Sequence, residues 1–260
     1  MHAGDPVGIY SQGAAAREGV PVMPGLMRAE TLDEVEWPAK VKDLDARGWA
    51  VLPRLLTPGD CRQVAEWYGA GRGFRSHVRM ARHGYGRGEY KYFSYPLPDL
   101  VQDLRARLYP HLARIANVWH ERMAMEVRFP TDHAAFLERC HAAGQIHPTP
   151  LLLQYGAGDF NCLHQDLYGE QVFPLQVAIL LSRPGVDFEG GEFVLTEQRP
   201  RMQSRVEVVP VVQGDAVVFA VNDRPMQGTR GIYRVKLRHG VSTVRSGHRH
   251  TLGIIFHDAK

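Results

Sequence analysis

Cysteine is scarce in this chain: Cys61, Cys140 and Cys162 are three among 260 residues. An odd number without metal-ligand spacing argues against a disulfide framework and a cysteine-based metal site, and fits a reducing compartment. No run of 18 apolar residues occurs, so no membrane-spanning helix is expected. The opening Met1-His2-Ala3-Gly4-Asp5-Pro6 lacks the basic and apolar stretches of a secretory leader. A cytoplasmic protein with no membrane partner is therefore expected. An excess of one charge is also missing. Lys and Arg number 31 against 28 Asp and Glu, a net +3 that is too small by itself to argue for nucleic acid. There is no internal repeat. What remains is ordinary globular composition, 44% hydrophobic and 23% charged, in a length that buries one core with a helical annex.

Residues 1–29 are rich in Gly, Ala and Pro and read as a flexible N-terminal arm. Residues 30–150 are expected to form an N-terminal helical part. Its first stretch, 30–45, carries mostly acidic charge, and Gly48 to Pro53 reads as a short strand. Thr57 and Pro58 supply an N-cap and an N1 proline. The helix they start has the apolar stripe Cys61, Val64, Ala65 and Tyr68, and ends at Gly69. Leu100, Leu104, Leu108, Leu112, Ile115 and Trp119 recur at helical spacing over 99–122, with a kink expected at Pro110. Asp132 and Gly144 bound another helix. From Leu151 the pattern turns to strands: 151–155, 175–181, 192–196, 206–212, 216–221, 232–244 and 249–256. Seven or eight short strands suit a sandwich or jelly roll. The expected class is α+β, a double-stranded β-helix core over 151–260 with the N-terminal helices packed on one sheet.

Segment 72–95 has a different texture. Arg72, Arg75, Arg79, Arg82, Arg87 and Lys91 are opposed only by Glu89, with Tyr85, Tyr90, Tyr92, Phe93 and Tyr95 interleaved. Gly84, Gly86 and Gly88 predict turns or a flexible hairpin tip. Two more basic stretches follow, Arg199, Arg201 and Arg205, then Arg224, Arg230, Arg234, Lys236 and Arg238. Charge runs are most often solvated faces. A solvated face needs no tyrosines, although pairing across a hairpin also explains them.

The chemistry-bearing pattern is His164-Gln165-Asp166, then His239 after 73 residues, then Arg249 after 10 more. Residues i and i+2 of an extended segment share a face, so His164 and Asp166 can hold one ion together. His239, in a strand-like run, supplies the third ligand. Two imidazoles and a carboxylate leave three positions open, which favours non-heme Fe(II) over four-coordinate zinc. His248 and His250 are rival ligands, but they flank Arg249 and face away from whatever it faces. His257, at an even offset from Arg249, is harder to set aside. Cys162 reads as a packing residue. Arg249 suits an acidic co-substrate, because a guanidinium grips a carboxylate through two parallel hydrogen bonds. The Tyr155 phenol can add another.

The order of elements carries more than any one of them. Tyr155 and Gly158 precede His164 and Asp166. Gly190-Gly191-Glu192 follows, then Gly214-Asp215 before Val217-Val218-Phe219, and finally His239, Val241, Gly247 and Arg249. This series resembles the prolyl-4-hydroxylase-like branch of the Fe(II)/2-oxoglutarate oxygenases over about the last 110 residues. The stretches from Phe188 to Pro210 and from Arg238 to Asp258 also resemble a prokaryotic oxygenase family predicted to act on damaged DNA. The resemblance implies a dioxygenase whose Fe(II) sits on His164, Asp166 and His239. It implies 2-oxoglutarate held by Arg249 and Tyr155, dioxygen as the other co-substrate, and no separate general base.

The substrate is less determined than the chemistry. A modified nucleic acid is the leading expectation, by oxidative dealkylation of damaged DNA. Arg75, Arg79, Arg82, Tyr85, Arg87, Lys91 and Tyr92 would then form the substrate-facing lid, contacting phosphates and stacking bases. A peptidyl hydroxylase, a small-molecule hydroxylase and a non-catalytic jelly-roll binding module are the alternatives.

Overall fold

Apolar–polar alternation dictates most of the chain's elements, and the computed structural model describes residues 30–71 and 73–260. The arm expected over 1–29, and Arg72, lie outside them. The first part contains α1 (Glu30–Asp33), α2 (Trp37–Arg47), β1 (Trp49–Leu52), α3 (Pro58–Glu66), β2 (Phe74–Arg79), β3 (Gly86–Arg87), β4 (Glu89–Phe93), α4 (Asp99–Arg122) and α5 (His133–Ala142). Strands follow: β5 (Leu151–Tyr155), β6 (Phe160–His164), β7 (Leu175–Leu180), β8 (Phe188–Gly190), β9 (Phe193–Gln198), β10 (Arg205–Val209) and β11 (Ala216–Ala220). The last are β12 (Asp223–Gly228), β13 (Gly231–Val241), β14 (Val244–Gly247) and β15 (Arg249–Ile254).

A seven-stranded antiparallel sheet runs β1-β11-β7-β15-β5-β4-β2, and a second runs β10-β9-β13-β6-β3 with β12 beside β13. Strands β7, β11 and β15 of the first sheet are largely buried on both faces. Leu152, Val177, Ile179, Val218, Leu252 and Ile254 point outward into one core with Leu100, Leu104, Leu108, Leu112 and Trp119 of α4. Each such leucine contributes about 1.5–3 kcal/mol on burial. The inward residues of the sheet face the candidate site.

Helix α3 begins as its sequence requires: the Thr57 side chain accepts from the Asp60 amide, and the Asp60 carboxylate takes the Thr57 amide. Helix α4 continues through Pro110 from Asp99 to Arg122. The acidic stretch 30–45 overlaps α2, whose Leu44 enters the core, in keeping with a helical N-terminal part. Gly84 lies in the turn expected of it, between the strands of a hairpin: β2 pairs β4 and β4 pairs β5, so backbone hydrogen bonding fixes the flanks to the main sheet. Residues 160–164 form β6, because β13 and β3 pair its two sides. Among the described residues no helix is long and apolar enough to cross a membrane.

Candidate active site

His239 on β13 stands directly opposite His164, the last residue of β6. Asp166 follows two residues on. The ligand atoms of these three residues lie within 4.8 Å of one another. Asp166 Oδ1 is 3.5 Å from His164 Nε2, and Oδ2 is 3.3 Å from His239 Nε2. His164 Nδ1 donates to the Cys162 carbonyl at 2.8 Å, which turns Nε2 toward the cluster. Burial holds Asp166 against ionisation, yet hydrogen bonds from both histidines bring its carboxyl well below the usual range. Burial and the nearby His164 lower the His239 pKa, favouring the neutral imidazole a metal needs. For His164 burial works the same way, but the Asp166 carboxylate outweighs it and raises the pKa. The donor set fits a divalent metal with open positions.

Arg249 opens β15 opposite Tyr155 on β5. It is 2% exposed, with its guanidinium 5.5 Å from the Tyr155 ring centroid and 5.9 Å from that of Phe188. Its Nη1 donates to Thr251 Oγ1 at 2.6 Å, and its Nε has no partner. Two other arginines are fully buried, and each has a carboxylate: Arg105 pairs with Asp258 at 2.7 Å, and Arg224 pairs with Glu197. Among the described residues Arg249 has no such counter-ion. Burial lowers its pKa from the ordinary value, but a guanidinium stays charged. A buried cation without an anion is unfavourable, so this position fits a carboxylate brought by a ligand. Burial pushes the Tyr155 phenol up to about 12, so it remains a hydrogen-bond donor.

One cavity of about 390 Å³ joins the two halves. Its lining includes His164, Asp166, His239, Tyr155 and Arg249. Its size is that of a small-molecule site. The rival histidines stand outside it. His257 Nδ1 accepts from the Phe173 amide, and His250 Nε2 faces Gln154.

The substrate-facing set divides. Tyr85 and Tyr92 line the cavity, as does Tyr90, which sequence reasoning left out of the site although its even offset from Tyr92 marks the shared face. Arg75 lies over the Tyr92 ring at 4.5 Å and donates to the Pro148 carbonyl. Arg82 and Arg87 are exposed on either side of Tyr85. Lys91 and Arg79 belong to the other face of the hairpin. Lys91 donates to the Tyr68 carbonyl and sits over the Tyr68 ring, and Arg79 pairs with Glu89. The basic stretch near His239 is structural or solvated. Arg224 is buried, Arg234 donates to the Met123 carbonyl, and Lys236 and Arg238 point out from β13. Two other groups escaped notice. Tyr168 donates to Asp166 Oδ1 at 2.7 Å, and Gln176 lines the cavity. Tyr168 at i+2 from Asp166 was a visible signal; Gln176 had none.

A family model described as an oxygenase catalysing oxidative methylation of damaged DNA matches residues 88–259. The chain belongs to this family. It is an oxygenase. The oxygenase is 50% identical over 167 residues to uncharacterized proteins from two strains of Mycobacterium tuberculosis, covering 64% of this chain and 72% of theirs. A 2OG-Fe(II) oxygenase family oxidoreductase from Burkholderia pseudomallei shares its fold at a TM-score of 0.53 and 16% identity. That alignment covers 87% of this chain and 94% of the other. A prolyl-4-hydroxylase from Pseudomonas putida aligns at a TM-score of 0.48 and 15% identity, covering 84% and 96%.

Proposed function

We propose that this oxygenase removes an alkyl group from a damaged nucleic-acid base. The two facing sheets are read as a double-stranded β-helix, with the cavity between them as the active site. His164, Asp166 and His239 hold the iron, and Arg249, Tyr155 and Thr251 hold the distal carboxylate of 2-oxoglutarate. When bound, iron and 2-oxoglutarate supply an oxidant of C–H bonds, with carbon dioxide and succinate as co-products. The chain's own residues bind, orient and exclude water. Hydroxylation of an N-alkyl carbon leaves a hemiaminal that collapses to aldehyde and free base.

The observation that carries the nucleic-acid reading is the aromatic mouth. Tyr85, Tyr90 and Tyr92 line the same cavity as the metal ligands, with Arg82 and Arg87 exposed beside Tyr85. Stacking faces suit an unpaired or flipped base, and outer arginines suit its phosphates. The family's described action on damaged DNA supports the same reading. The experiment is succinate release by protein reconstituted with Fe(II), with and without alkylated single- and double-stranded DNA. DNA-stimulated succinate with stoichiometric aldehyde is expected. Turnover indifferent to DNA would move the search to peptides and metabolites.

A further inference from the structure

The loop that follows Asp166 is clamped from beneath. Gln145, fully buried just after α5, makes the clamp. Its Oε1 accepts from the Glu170 amide at 2.9 Å and the Gln171 amide at 2.7 Å. Its Nε2 donates to the carbonyls of Tyr168 and Gln171 at 3.2 Å and of Asp258 at 2.6 Å. Gly169 takes φ +83°, and a Cβ there would stand 2.5 Å from Gln145 Cδ, so the backbone lies flush on the amide. All of these bonds go to main chain. They set where Tyr168 starts and leave its hydroxyl to other partners.

That hydroxyl turns back to the metal cluster. Tyr168 Oη donates to Asp166 Oδ1 at 2.7 Å, and Tyr92 Oη lies 3.3 Å from Tyr168 Oη. Chemistry fixes the direction of the chain. An ionised carboxylate only accepts, so the Tyr168 proton points at Asp166 and the Tyr168 oxygen is left to accept from Tyr92. Tyr92 is itself held. Its ring lies under the Arg75 guanidinium at 4.5 Å and edge-on to Tyr90 at 5.3 Å, and its strand pairs with β5. Both phenols line the cavity. The two oxygens of Asp166 are therefore unequal: Oδ1 carries the phenol, whereas Oδ2 has the His239 imidazole at 3.3 Å.

We propose that Tyr168 is a positioning residue for the metal centre and that Tyr92 supports it, so that a tyrosine of the substrate mouth bears on metal affinity. The inference rests on His164, Asp166 and His239 as the metal ligands and deepens that reading. A carboxylate turns about its last bond unless one oxygen is held. The Tyr168 hydroxyl holds Oδ1 and presents Asp166 to an ion in one orientation. Removing a group that orients a ligand in this way lowers metal affinity about 10- to 100-fold. The Tyr92 hydroxyl acts through Tyr168.

The test is a double-mutant cycle in which metal-free protein is titrated with Mn(II) by calorimetry: wild type, Tyr168→Phe, Tyr92→Phe and the double variant. Each substitution keeps the ring and removes only the hydroxyl. Tyr168→Phe is expected to weaken Mn(II) binding about tenfold or more and to alter the paramagnetic resonance spectrum of the bound ion. Tyr92→Phe is expected to weaken binding by a smaller factor. The double variant is expected to bind as Tyr168→Phe does, since the Tyr92 hydroxyl then has nothing to act on. Metal-free melting temperatures are expected to stay close to wild type, because Gln145 holds the loop by its backbone. Unchanged Mn(II) affinity in Tyr168→Phe, or a loss that comes with a lowered metal-free melting temperature, would overturn the positioning role. Losses that add in the double variant would remove Tyr92 from it. A wild type that binds no Mn(II) would instead overturn the metal reading on which the inference rests.

Discussion

Three buried arginines show how much one partner changes. Arg105 and Arg224 are neutralised by Asp258 and Glu197 and hold the fold, whereas Arg249 has no carboxylate partner among the described residues, which suits the proposed ligand. Arg249→Lys should therefore raise KM for 2-oxoglutarate about 10- to 100-fold, by loss of a charge-assisted fork, with little effect on melting temperature. Succinate assays against 2-oxoglutarate concentration check this, and an unchanged KM would remove Arg249 from the co-substrate site. His164→Ala and Asp166→Ala should each abolish both succinate release and tight Mn(II) binding, which calorimetry reads without turnover. His164, Asp166, His239 and Arg249 were all legible in the sequence, because strand periodicity and the pairing chemistry of guanidinium act locally. Tyr168 and Gln176 were not singled out, since their meaning depends on what stands opposite them.

At the scale of elements, the 72–95 segment is the clearest lesson. Its composition suggested a basic, flexible lid, but β4 pairing with β5 makes it the continuation of the main sheet. Alternation then sorts its residues: Tyr90 and Tyr92 go to the cavity, Lys91 to the Tyr68 side. The loop between β2 and β4 is tied across the mouth, where the Cys162 amide donates to the Tyr85 carbonyl and Gly86 pairs with Asn161. Gly86 has φ +125°, and a Cβ there would stand 2.4 Å from the Phe160 carbonyl oxygen. Gly86→Ala should loosen this strap, lowering stability by more than about 1 kcal/mol and cutting substrate turnover. Tyr85→Ala should cut substrate turnover while leaving the melting temperature within error. Calorimetry beside a coupled-turnover assay separates them, and a Tyr85→Ala variant with full turnover would exclude the tyrosine from substrate contact. The β12–β13 hairpin teaches the converse. Arg224→Ala should lower stability, since it leaves Glu197 with Arg199 alone and strips the Asp45 and Ala46 carbonyls of their donor, measured by urea denaturation.

For the whole molecule, the pH dependence of stability follows from buried histidines that are not metal-ligand candidates. Burial lowers His133 and His257 to about 4, well under the ordinary imidazole value of about 6.5. The unfolded chain therefore binds these protons more readily than the folded one. The stability they contribute is fully present above about pH 6.5 and is lost as pH falls toward about 4. Melting temperature should drop across that window. A flat profile between those limits would mean that His133 and His257 are not buried neutral. Asp258, held below its usual range against burial by Arg105 and His141, adds a further loss only below the unfolded carboxylate value.

Short-range rules were enough to read α3, α4, α5, most strands after Leu151 and the ligand spacing. Capping, the 3.6-residue stripe and the two-residue alternation are properties of neighbouring residues. The sequence alone thus determined the reaction class, through side chains whose chemistry is independent of context. Only tertiary structure decided which charges are available. It gave Arg224 and Lys91 partners from distant elements and, among the described residues, withheld a carboxylate from Arg249. Burial and pairing are sums over the whole packed chain, so no local window contains them.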